Sequence, residues 1–157
     1  MEEAIYFEKQ YALVRQSRRR LLDYCGTLSE AHLVEELPGF GFSSVRDLLV
    51  HINNTYRTWL SRALQQSFVS TSPELLGSLA AIQAEFNKTD VLMESFIGWV
   101  RKERPVSFAV ERNGQEQLLT PMALFTHVIT HEFHHKGQLL TMSRQLGYLP
   151  VDTDVIP

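Results

Sequence analysis

The stretch Thr120-Pro121-Met-Ala-Leu-Phe-Thr-His127-Val-Ile-Thr-His131-Glu-Phe-His-His135-Lys-Gly-Gln-Leu-Leu decides the fold. Threonine followed by proline is a helix start, a cap and then a residue whose missing N–H is no loss in the first turn. The pattern predicts a helix to about Leu146, with Gly147 ending it. Four of the chain's six histidines fall between His127 and His135. On a helix His127, His131 and His135 stand at i, i+4 and i+8, one turn apart on one face. Two neutral imidazoles one turn apart can bind the same transition metal ion. This helix therefore supplies half of a candidate metal site and needs facing helices to supply the rest.

Working outward, the other elements are also mostly helical. Val106 to Glu111 alternate as a strand, Asn113-Gly114 is a hairpin turn signal, and Gln115 to Leu119 return as a second strand. Before the hairpin, Ser72-Pro73-Glu74 predicts the start of a helix to about Arg101, with Leu76, Leu79, Phe86, Met93, Phe96, Ile97 and Val100 inward. Ahead of that, Ser43 or Ser44 caps a helix to about Gln66, whose apolar face runs Val45, Leu48, Leu49, Ile52, Tyr56, Trp59, Leu60 and Ala63. The first helix spans about Glu3 to Cys25, striped by Phe7, Tyr11, Val14, Leu21 and Cys25. A short helical turn at Ser29 to Glu36 precedes the Pro38-Gly39-Phe40-Gly41 breaker, and the tail after Gly147 reads as extended. Four amphipathic helices that cannot each bury a stripe alone pack around one core. The predicted architecture is an all-α four-helix bundle with a short β-hairpin before the last helix, a single domain over residues 1–157.

Composition narrows the function classes. The 157-residue chain is 44% hydrophobic and 21% charged, as globular domains are, and carries a net charge of −3. That balance argues against nucleic acid as a partner, and the one dense basic run, Arg18-Arg19-Arg20, points in three directions and reads as a solvated face. A lone cysteine, Cys25, excludes an internal disulfide and reads as a buried, inert thiol. With no signal peptide and no apolar run of about 18 residues, the expectation is a cytoplasmic protein with no membrane partner.

A catalytic metal takes about three protein ligands and keeps a position open. Of the two histidines outside the cluster, His32 falls in the short segment before the breaker and reads as exposed. His51 lies mid-helix among apolar neighbours, so the favoured triad is His51, His131 and His135. Periodicity alone admits His127/His131 as the ligating pair as well as His131/His135, because each step of four residues rotates by about 40°. His134, about 100° from His135, faces elsewhere. His131-Glu132-Phe-His-His135 formally matches H-E-x-x-H, the zincin protease signature. No third histidine or glutamate follows it, so Glu132 is expected at the surface. Tyr56 and Asn54, about a turn from His51, are candidates to line the pocket.

Leu48-Leu49-Val50-His51, then Thr120-Pro121, then His127-x3-His131-Glu-x-x-His135 with Lys136-Gly137-Gln138, resembles the DinB/YfiT-like family of metal-dependent enzymes. The last element is similar to that family's H-x3-H-[RK]-G-Q signature, with lysine where arginine is commoner, and the resemblance covers essentially the whole chain. It implies an up-down-down-up bundle and a divalent metal, nickel or zinc, held at the matching His51, His131 and His135. It also implies a thiol S-transferase-like activity on a small electrophilic substrate, using a low-molecular-weight thiol such as bacillithiol, mycothiol or glutathione, and a homodimer. Gly137 is expected to permit close helix packing and Gln138 to hydrogen-bond a ligand group. The alternatives are a non-catalytic metal-binding bundle of the bacterial stress response, or a hydrolase using metal-bound water.

Overall fold

The computed structural model describes residues 2–112 and 114–156. Five helices, α1 (Glu2–Cys25), α2 (Glu30–Val34), α3 (Val45–Ala63), α4 (Leu79–Glu103) and α5 (Pro121–Gln145), are joined by strands β1 (Phe108–Arg112) and β2 (Gln115–Leu119) ahead of α5. The strands pair antiparallel, Phe108 opposite Leu119 and Arg112 opposite Gln115, with Gly114 at φ 75° in the turn. Asn113, the other half of the turn signal, lies outside the described residues. Among the described residues no helix is long and apolar enough to cross a membrane.

Side-chain pairs fix the helix directions. Phe7 stacks near Phe96, and Glu8 pairs with Arg101 at 2.5 Å while Arg18 reaches Asp90 at 2.7 Å, so α1 and α4 are antiparallel. Phe7 also stacks on Phe125 at 4.3 Å, and Arg18 meets Glu132 at 2.8 Å, so α1 and α5 run together. Trp59 meets His127 while His51 meets His135, so α3 opposes α5. The topology is therefore up-down-down-up, and the segment 64–78 carries the chain back along the bundle between the parallel α3 and α4. Asn54 pins that segment by donating to the Thr71 carbonyl at 2.8 Å and accepting from its N–H at 3.0 Å. The four long helices bury a continuous core of Phe7, Leu21, Leu48, Leu49, Ile52, Leu60, Ile82, Met93, Phe96 and Phe125. Each such side chain contributes roughly 1.5–3 kcal/mol of transfer free energy.

The capping signals decide the helix boundaries. The Thr120 side chain accepts from Ala123 N–H, and Ser44, rather than Ser43, accepts from Asp47 N–H. Gly147 at φ 89° ends α5, with Tyr148 N–H on Ser143 C=O and Gly147 N–H on Arg144 C=O, the paired bonds of a Schellman stop. The Ser72-Pro73 signal misleads. It opens only a 3₁₀ turn, Pro73–Leu75, and α4 starts later behind Ser78, whose hydroxyl accepts from Ala81 N–H. Gly77 separates the two, and one turn of helix is lost from the expected length. Cys25 is buried, as expected, and burial pushes its thiol up to about 12.

Two expectations fail. Arg18 is 3% exposed and belongs to the core, and Arg19 alone of the triplet is exposed. Gly137 faces outward and a Cβ there would meet nothing, so it does not serve close helix packing.

Candidate metal centre

His51 from the first half of α3 and His131 and His135 from the middle of α5 converge by their ring nitrogens. His131 Nε2 is 3.1 Å from His51 Nε2 and 3.1 Å from His135 Nε2. Two nitrogens bound to one ion at about 2.0–2.1 Å sit roughly 2.9–3.4 Å apart, so the separation suits a shared cation. Without one, three lone pairs facing a common point cannot all be satisfied, because a neutral imidazole carries a single N–H. The donor set, three neutral imidazoles, is one that zinc and nickel accept. The cluster is thus compatible with binding a metal ion.

The surroundings hold the rings. Gln138, one turn after His135, accepts from its Nδ1 at 2.7 Å. That bond places the proton on Nδ1 and leaves Nε2 bare toward the cluster, the orienting contact usual behind a ligating histidine. Gln138 therefore acts through His135 in this structure. Gln138→Ala should weaken metal affinity about 10–100-fold with little change in stability, as read by competition against a chromogenic chelator. Phe42, from the glycine-rich loop ahead of α3, stacks on His51 at 3.8 Å and meets His135 edge-on. Nothing in the sequence reading singled out Phe42. The available signal was an aromatic residue two positions before the Ser44 cap. Thr55 brings its hydroxyl to 3.5 Å from His131 Nε2.

His127 stays outside the cluster. Its ring is exposed at the mouth, 5.9 Å from that of His131 and edge-on to Trp59. His134 is exposed, and His32 is tied to the Tyr148 hydroxyl at 2.8 Å, away from the cluster. Tyr56 and Asn54 do not line the site: Tyr56 is buried on Glu132, and Asn54 holds the Thr71 segment.

Glu132 overturns the surface expectation. It is 1% exposed, and Arg18 grips it through two nitrogens at 3.1 and 2.8 Å. Lys136 adds a contact at 3.1 Å and Tyr56 donates to it at 2.7 Å. Lys136 continues to Ser17, whose hydroxyl donates to the Thr153 carbonyl and so ties down the tail. Each candidate ligand on α5 is followed by a buried charge: His131 by Glu132, His135 by Lys136. About 100° around the helix from the histidines, these charges face the core and fix the helix's rotation. With Glu132 committed to Arg18, no general base of zincin type faces the cluster. Burial alone would raise its carboxyl, but Arg18, Lys136 and the hydrogen bonds hold it well below the ordinary range.

Burial lowers the histidines, and their mutual repulsion adds to it: His51 falls to about 4 and His131 to about 3. They are neutral at physiological pH, as ligands must be. Both folded-state values lie below the unfolded one, so the unfolded chain binds more protons as pH falls below 6.5. The histidine contribution to stability is complete above that pH and is lost as pH falls through the folded values. Glu132 adds a loss below its ordinary value of 4.5. Chelator-treated protein should show a urea midpoint that declines from pH 7 to 5 and more steeply below 4.5.

A family model described as the DinB family matches residues 1–156. Among solved structures, a DinB-like protein from Bacillus subtilis (YjoA) is similar over 97% of this chain and 96% of its own, at 17% identity and a TM-score of 0.57. That likeness shows a shared fold. No curated protein matches the sequence significantly.

Proposed function

The chain belongs to the DinB family, and from that premise we propose that it is a metal-dependent enzyme of thiol S-transferase type, its ion held by His51, His131 and His135. The observation that carries this reading is the convergence of three Nε2 atoms beside an open face. His51 and His131 are half-buried and only His135 is buried, so the cluster keeps an edge toward solvent. Zinc or nickel is the ion the imidazole set favours. A bound divalent cation deprotonates a coordinating thiol and so supplies a nucleophile at neutral pH.

The protein's own groups orient and receive. His135 is aimed by Gln138, and Phe42 caps the rings of His51 and His135 on one side. His127, exposed at the mouth with its ring 5.9 Å from that of His131, receives the S–H proton of the incoming thiol and passes it to solvent. The sulfur forms a bond to the electrophilic carbon as that carbon's leaving group departs with the bonding pair. Among the described residues the Thr55 hydroxyl is the one beside the cluster, 3.5 Å from His131 Nε2, while Glu132 and Tyr56 are committed to each other and to Arg18.

The test is loss of free thiol when zinc- or nickel-loaded protein is mixed with a small thiol and an alkyl halide. Turnover that requires the metal and vanishes in His135→Ala supports the reading. Metal binding with no acceleration points instead to a non-catalytic bundle. Turnover of an ester with no thiol present points to hydrolysis.

A further inference from the structure

The exposed His127 edge of the three-histidine cluster carries two arginines that have no carboxylate within ion-pair distance among the described residues. Trp59 stands two turns after His51 on α3, edge-on to His127 with ring centroids 5.0 Å apart. Two guanidinium groups lie against its ring, Arg62 at 5.4 Å and Arg112 at 5.6 Å. Arg15, Arg18, Arg46, Arg57 and Arg101 each pair with a carboxylate. Among the described residues Arg62 and Arg112 have no such partner, nor do Arg19, Arg20, Arg104 and Arg144, but these two lie on the ring that meets His127.

Strand geometry explains the placement of Arg112. Side chains alternate along β1, so Phe108, Val110 and Arg112 share one face. Phe108 packs on Trp99 and Val110 is 2% exposed, which makes that face the one against the bundle. Arg112, exposed at the end of the strand, continues that face and lies over the Trp59 ring. Glu111 points the opposite way, and its cross-strand neighbour Glu116 shares that outer face. The hairpin thus turns Glu111 away from the bundle and lays Arg112 over Trp59, the ring that meets His127.

We infer that Arg112 and Arg62 form a carboxylate-binding rim, so that the small molecule entering the site carries a carboxylate at the end away from its reacting atom. Guanidinium groups suit planar, paired recognition of a carboxylate, and stacking on an indole restricts their motion before the ligand arrives. Trp59 itself offers an apolar wall for the chain between the two ends. The inference rests on the thiol reading above and names the chemistry of its ligand.

The test uses full-length cobalt(II)-loaded protein and two thiols of equal length, 6-mercaptohexanoate and the uncharged 6-mercaptohexanol. The thiolate-to-cobalt absorption band reports binding at the metal for both. The carboxylate thiol should bind about five- to tenfold more tightly at low salt. The double substitution Arg62→Gln and Arg112→Gln should abolish that preference while leaving mercaptohexanol affinity and cobalt content unchanged. Equal binding of the two thiols by the native protein would overturn the rim and leave the thiol reading standing. A preference that survives the double substitution would also overturn it, by placing the anion elsewhere. If neither thiol gives the band, the thiol reading fails and the rim falls with it.

Discussion

Glu132→Ala is expected to cost about 3–5 kcal/mol of folding stability, because it leaves Arg18 and Lys136 buried without their shared anion. Arg18 would keep Asp90 at 2.7 Å, but Lys136 would retain only the Ser17 hydroxyl as a hydrogen-bond partner and the face of Phe133. Tyr56, fully buried, would lose its acceptor as well. A domain of this size has about 5–15 kcal/mol in all, so the variant should be partly unfolded at 37 °C. Glu132→Gln keeps the volume and an acceptor for Tyr56 and should lose less than the alanine variant. Urea midpoints at pH 7 measure both. A change below about 1 kcal/mol for the alanine variant would mean that the three charges do not depend on one another. Because Glu132 neighbours His131 on α5, metal affinity in the glutamine variant reports how far the buried charges orient the histidine face. Retained stability with weakened affinity is the signature of a positioning role.

His135→Ala should abolish tight metal binding, while His134→Ala should leave it nearly intact. The two residues are adjacent in sequence and chemically identical, so the comparison isolates direction. His135 brings its Nε2 to 3.1 Å from His131, whereas His134 is exposed, lies edge-on to the His135 ring and is 3.3 Å from Gln138. Loss of one of three protein ligands leaves a two-imidazole site, which is too few for a structural or catalytic ion. His135→Ala vacates a largely buried position at the rim of the core, so its stability should fall by much less than that of Glu132→Ala. Calorimetric titration with zinc separates the two substitutions. Equal losses in both would show that α5 is rotated from the orientation described.

Much of the bundle was legible because its helices are long, amphipathic and capped by Ser or Thr. The Thr120-Pro121 start and the Gly147 stop bracket α5 within a residue of their expected places. His51 stood out because a polar ring on an apolar stripe has to point at something. The buried charges were harder to see. On α5 the stripe runs through Val128, Glu132, His135/Lys136 and Leu139, and on α1 it runs through Val14, Ser17/Arg18 and Leu21. Arg18 and Glu132 therefore occupy inward positions of their own helices. Charge alone suggested solvent for each, and only their pairing across two distant segments makes the burial tolerable. That pairing depends on which helices are neighbours, which periodicity does not encode. The same holds for Phe42, which comes from a loop, whereas the contact of Gln138 with His135, one turn apart on the same helix, is one that helical spacing encodes. The false start at Ser72-Pro73 has a local reason: Gly77 and a better-placed cap at Ser78 follow within one turn.

The central claim is that His51, His131 and His135 hold one metal ion. Elemental analysis of untagged protein by mass spectrometry tests it most directly, since a polyhistidine tag would bring its own metal. About one nickel or zinc ion per chain, present as purified or taken up on addition, is the predicted result, and His135→Ala should lower it to background. Protein that holds no metal and takes up neither added zinc nor added nickel would contradict the claim, and the three rings would then be a packed polar face of a non-catalytic bundle.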